Sequence, residues 1–244
     1  MVNEYLIYLS GGLLGDFIFQ LSVINENYIE TGKKGILYIS NKGETFRNGL
    51  ENTYKETYNL IKNLDYIKDY LIYNNEDIDI DLTIWRKNKD VEYENWFIKY
   101  SNTYKINWGK NKWLTCSTNN KWKEKKLINT TSYRWPCNID FNKIFDLYSN
   151  DLIFISFDIN QYNFFKEKTG LEIENYILSN IDELCIIINS CQLIIGSQSS
   201  PLAIAFALKK EVIICECLED YSHEHGHHYI EGLSEIFENV KFNI

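Results

Sequence analysis

Three short segments hold the residues whose types and spacing could do chemistry. The first is Ser10-Gly11-Gly12-Leu13-Leu14-Gly15-Asp16. Its glycines permit positive φ and close approach of another molecule to the backbone. Asp16 stands where a carboxylate could cap a following helix or accept a proton from a substrate hydroxyl. The second is Gly196-Ser197-Gln198-Ser199-Ser200-Pro201, leading into an Ala-rich apolar stretch. A proline in a first helical turn, preceded by small hydroxyl residues, brings backbone N–H groups together at a helix start and suits a diphosphate. The third is Asn129-Thr130-Thr131-Ser132-Tyr133-Arg134-Trp135-Pro136. Hydroxyls and a guanidinium at the end of a strand suit phosphate oxygens. Each segment also has a plainer reading: a tight turn with a helix cap, a Ser-rich cap, and a surface turn with Trp135 packed beneath it.

The elements that must position these turns follow from periodicity. An apolar strand over 5–9 is followed by a helix with Phe17, Leu21, Ile24 and Tyr28 on one face and Asp16 as its N-cap. A strand over 36–39 closes a parallel unit with a right-handed crossover. A helix over 49–63, strands over 67–73 and 78–85, and a helix over 92–103 complete this half. Residues 105–126 mix seven Lys with Trp108, Trp113 and Trp122 and read as a solvated linker. Alternation then resumes with strands over 126–131, 152–156, 192–195 and 211–216. Helices cover 139–148, 160–169, 180–190, 200–209 and 230–238. The pattern predicts two Rossmann-like α/β domains with parallel sheets, 1–118 and 119–244. In such sheets ligands bind beyond the carboxyl ends of the strands, where all three turns fall. Glu216 ends a strand on the same edge.

Composition narrows the classes. The chain has 244 residues, 45% of them hydrophobic and 24% charged, which excludes wholesale disorder and collagen-like structure. A net charge of −9 disfavours a life spent coating nucleic acid or anionic lipid. Six Cys without a framework of spacings read as reduced thiols. No apolar run approaches a membrane span, and Met1-Val2-Asn3-Glu4 lacks the basic start of an export signal, so a cytoplasmic protein is expected. All four His lie in His223-Glu224-His225-Gly226-His227-His228, with Cys215 and Cys217 upstream. That group is a conceivable metal site, but it straddles a Gly and lacks helical spacing, so a polar loop is the preferred reading.

Taken together, the three turns resemble those of GT-B glycosyltransferases of the ADP-heptose:lipopolysaccharide heptosyltransferase type, and in particular short variants of viral or environmental origin. The resemblance implies two domains facing a cleft, the acceptor side in the first and the nucleotide-sugar side in the second. It gives Asp16, in the Gly15-Asp16 match, the role of general base. It makes Gly11, Gly12, Gly15, Thr130, Thr131, Arg134, Gly196, Ser197, Gln198, Ser199, Ser200 and Glu216 the donor and phosphate contacts. The implied reaction is metal-independent and cofactor-free transfer of a sugar from a nucleotide-diphosphate donor to a hydroxyl acceptor. Three positions depart from the family pattern: Gln198 stands in place of Asp, Ser200 in place of Gly, and Ala203 in place of His. Gln198 and Ala203 keep open a non-catalytic nucleotide- or carbohydrate-binding module. The basic-plus-aromatic stretch over 105–126 keeps open a phage-type enzyme that glycosylates modified DNA bases.

Overall fold

The computed structural model describes residues 4–42, 45–87, 96–107, 110–132, 135, 139–197, 199–215 and 240–241. The chain divides into two compact units, Met1–Thr115 and Cys116–Ile244, against the expected boundary between residues 118 and 119.

In the first unit β1 (Tyr5–Ser10), α1 (Leu14–Thr31), β2 (Lys34–Ile39), α2 (Leu50–Lys62), β3 (Ile67–Ile72), β4 (Ile80–Asp81) and α3 (Trp96–Tyr104) follow in order. The sheet runs β3-β2-β1-β4 and is parallel throughout. Phe17, Ile18, Leu21 and Ile24 of α1 are fully buried with Tyr8, Leu37 and Ile39, so the apolar stripe read from the sequence is the seam between α1 and the sheet. Two expectations are corrected here. The strand expected over 78–85 is only Ile80–Asp81, followed by a 3₁₀ turn at Ile84–Lys87. The helix α1 starts earlier than expected, with extended Leu13 as N-cap, because Leu13 and Leu14 already continue the apolar face. Asp16 therefore lies in the first helical turn and is not the cap. Residues 92–95 of the expected helix lie outside the described residues.

The second unit holds β5 (Lys126–Asn129), α4 (Phe141–Tyr148), β6 (Leu152–Ser156), α5 (Ile159–Thr169), β7 (Glu174–Ile177), α6 (Ile181–Ser190), β8 (Leu193–Ser197), α7 (Ser200–Ala207), β9 (Glu211–Cys215) and β10 (Val240–Lys241). Its sheet order is β10-β9-β8-β5-β6-β7, again all parallel. Every residue of β6 and β8 is buried, the continuous apolar pattern of strands covered on both faces. Strand β7 has no counterpart in the sequence reading: its burial is partial, and Glu174-Asn175-Tyr176-Ile177 gives no clear alternation.

The solvated linker is also corrected. Trp113 and Trp122 are 1% and 3% exposed. Trp113 Nε1 donates to the Ile18 carbonyl (2.9 Å), and Tyr66 Oη donates to the Trp113 carbonyl (2.6 Å). Asn111 adds bonds to both carboxylate oxygens of Glu26 at 3.0 and 3.1 Å. Lys112 precedes Trp113 and Lys121 and Lys123 flank Trp122, so the Lys-rich composition hides two buried anchors. Residue 108 and the His223–His228 segment lie outside the described residues.

Candidate functional site

Each sheet reverses its winding once. In the first unit the chain moves outward from β1 through β2 to β3, then crosses to β4 on the other side of β1. In the second it moves from β5 through β6 to β7, then returns to β8 beside β5. Crevices open at the carboxyl ends of strands at such reversals. The reversals fall at β1/β4 and β5/β8, where the sequence-predicted turns are.

At the first reversal, Gly11 and Gly12 follow β1. A β-carbon on Gly11 would lie 2.5 Å from the Lys42 carbonyl oxygen and 2.9 Å from that of Ser40, so only glycine lets the loop after β2 pass. Gly12 has φ +101°, and a β-carbon there would meet Asp16 Oδ2 at 3.3 Å. The carboxylate thus sits over the turn, 3% exposed, where the helix dipole favours negative charge. Gly15 lies within α1 itself.

Gln20, one turn beyond Asp16 and 1% exposed, pins the turn from the helix side. Its Nε2 donates to the Gly11 carbonyl (2.9 Å), and its Oε1 accepts from Ser10 Oγ and from the Gly11 N–H (3.3 Å). Sequence reasoning missed Gln20; the signal was a polar residue on the buried face of α1. It also missed Asp81 at the end of β4, which accepts from Lys42 Nζ (2.6 Å), Thr83 N (2.9 Å) and Thr83 Oγ1 (2.6 Å). Partial burial pushes the Asp81 carboxyl up, but these donors outweigh it and leave its pKa below the ordinary value.

At the second reversal the register pairs Asn129 with Gly196. A β-carbon on Gly196 would come within 2.8 Å of Leu202 Cδ1 and 2.9 Å of the Asn129 carbonyl oxygen, so glycine allows α7 and β5 to close on β8. Thr130 and Thr131, just past β5, are 1% and 6% exposed. Their Oγ1 atoms are buried with no hydrogen-bond partner among the described residues. The Thr131 N–H donates to Ser197 Oγ (3.4 Å), which ties the threonine pair to the end of β8.

Two residues on, Ser199 is the N-cap of α7, but its side chain makes no capping bond. Its hydroxyl points instead to Asn129 Oδ1 (3.3 Å) and the Ser197 carbonyl (3.2 Å). Ser200 and Pro201 form the first turn of α7. The arrangement offers hydroxyls and helix-start N–H groups at one crevice, a donor set suited to phosphate oxygens.

The remaining candidates divide. Trp135 packs against Phe141, Phe164 and Phe165 at ring distances of 5.6, 5.5 and 6.3 Å, so it supports the core. Ala203 is 1% exposed inside α7 and presents nothing to a ligand. Arg134, Gln198 and Glu216 lie outside the described residues, as does the helix expected over 230–238. Among the described residues no three His, Cys, Asp or Glu side chains gather as a metal site would require, and no helix is long and apolar enough to cross a membrane.

Comparison with solved structures finds the same architecture in known enzymes. The chain is similar to the glycosyl transferase family 9 protein of Veillonella parvula DSM 2008, with a TM-score of 0.55 at 8% identity over 93% of this chain and 85% of that one. It is similar to the E. coli ADP-heptose lps heptosyltransferase II, with a TM-score of 0.56 at 9% identity over 92% and 88% of the two chains. A third similar structure is E. coli heptosyltransferase WaaC with ADP-2-deoxy-2-fluoro heptose, at a TM-score of 0.52 and 6% identity over 86% and 88%. No protein-family model and no curated protein matches the sequence. At these identities the likeness is one of fold, and the fold of this chain is the pair of parallel-sheet, Rossmann-like α/β units found in these glycosyltransferases.

Proposed function

We propose that the protein is a glycosyltransferase that takes a nucleotide-diphosphate sugar and moves the sugar to a hydroxyl acceptor. The observation that carries this reading is the pair of buried hydroxyls of Thr130 and Thr131, without a hydrogen-bond partner among the described residues, beside the start of α7. Buried polar atoms without partners are uncommon in folded proteins, and a ligand that accepts from both would account for them. The WaaC structure holds an ADP-sugar analogue on the same fold, which supports reading that ligand as a diphosphate.

In this mechanism the acceptor oxygen bonds to the anomeric carbon while the bond from that carbon to the diphosphate oxygen breaks. The acceptor proton passes to the Asp16 carboxylate. The electron pair leaves with the diphosphate, whose growing charge is met by the threonine hydroxyls, the α7 N–H groups and, from the sequence, Arg134. No step calls for a metal.

A thermal-shift screen with ADP, GDP and UDP, then slow hydrolysis of the matching sugar donor, tests the reading. Asp16→Asn is expected to abolish transfer and spare nucleotide binding; retained turnover would remove Asp16 from the mechanism. Buried Ala203, where the resembled family has a His, favours a second reading: a module that binds the nucleotide without turning it over. Stabilisation by a nucleotide with neither hydrolysis nor transfer would select it. The DNA-modifying alternative loses ground, because Trp113 and Trp122 are buried and offer no platform for bases.

A further inference from the structure

We infer that Asn129 is a positioning residue, which keeps the N-cap serine of α7 from capping its own helix and so leaves the helix start open to the ligand. The inference rests on the diphosphate reading of this crevice and adds a residue and a device to it.

Asn129 is 4% exposed at the last position of β5. Its Nδ2 donates to the Ile155 carbonyl of β6 at 2.8 Å. That bond fixes the orientation of the amide, because the opposite orientation would set two oxygens against each other. Oδ1 is thereby turned toward Ser199, whose hydroxyl it accepts at 3.3 Å.

A serine at an N-cap ordinarily turns its oxygen to the N–H groups of the first turn. Asp140, Asp158 and Asn180 do so at α4, α5 and α6, accepting from Asn142 and Lys143, from Asn160, and from Glu183. Ser199 does not. Pro201 at the second helical position has no N–H, which leaves the Leu202 N–H as the donor for a side-chain cap. The Ser199 hydroxyl turns to Asn129 instead, while its carbonyl accepts from Ala203 N (3.2 Å). Among these four helices, the one whose cap side chain is drawn away starts beside two buried threonine hydroxyls that have no hydrogen-bond partner among the described residues. A self-capping Ser199 would place its own oxygen where a phosphate oxygen must go. Asn129 holds that oxygen aside.

The test is a double-mutant cycle, read by calorimetric titration with whichever of ADP, GDP and UDP binds the wild type. Asn129→Ala frees the Ser199 hydroxyl to cap α7, and affinity is expected to fall about tenfold, a loss worth about 1.4 kcal/mol. Adding Ser199→Ala removes the competing oxygen, and the double variant is expected to recover most of that loss. A merely structural Asn129 gives a double variant as weak as the single one, or weaker, and overturns the inference. Unchanged affinity in Asn129→Ala overturns it too and leaves the diphosphate reading standing. A wild type that binds none of the three overturns both.

If Asn129→Ala does not fold, unliganded thermal stability decides. Asp158→Ala, which removes a working cap, is expected to lower Tm by about 2–4 °C. Ser199→Ala is expected to lower it by well under half as much. An equal loss would show that Ser199 caps its helix and would overturn the inference.

Discussion

A β-carbon on Gly11 would lie 2.5 Å from the Lys42 carbonyl oxygen and 2.9 Å from that of Ser40, so the backbone of the loop after β2 would have to shift to admit it. Gly11→Ala is therefore expected to cost roughly 1–3 kcal/mol in urea unfolding, the usual range for overpacking. Asp81 sets a pH dependence at the same edge. Its folded pKa lies below the ordinary value of about 3.9, so below that pH the unfolded state binds more protons. Its contribution to stability is full above that value and is lost as pH falls through the folded pKa. Stability measured from pH 6 down to pH 2 is expected to decline less steeply in Asp81→Asn. Residues of this kind were partly legible. The glycines and Asp16 stand out in the sequence, whereas Gln20 and Asn129 do not, because an amide's role is set by the partners that folding brings to it.

At the scale of elements, α1, β2, β6, β8 and α7 were readable because their apolar spacing is strong and their ends carry Gly, Asp or Pro. β7 was not, because this edge strand is only partly buried, at adjacent Asn175 and Tyr176, and lacks the apolar run of its neighbours. The early start of α1 was hidden by leucines that serve both the turn and the helix. The clearest failure was 105–126, where Lys and Asn mask two buried tryptophans. Trp113→Ala is expected to destabilise the first unit by about 3–5 kcal/mol, the cost of truncating a buried aromatic. In a solvated linker the same change would fall within about 0.5 kcal/mol of zero, so urea unfolding separates the two cases.

For the whole molecule, the sheet reversals tie fold to function more directly than any single residue does. Two parallel sheets each reverse once, and a glycine-bearing turn stands at each reversal: Gly11 and Gly12 beside Asp16 in one unit, Gly196 beside Thr130 and Thr131 in the other. The central claim is that the second of these holds a diphosphate. It is tested most directly by titrating ADP, GDP and UDP into the wild type and into the Thr130→Val/Thr131→Val variant, with unliganded stability measured alongside. Valine keeps the shape and deletes two hydroxyls that have no partner among the described residues, so stability is expected to hold or rise. One nucleotide is expected to bind the wild type, and to bind the variant at least tenfold more weakly. No binding to the wild type, or equal binding to both, would contradict the account.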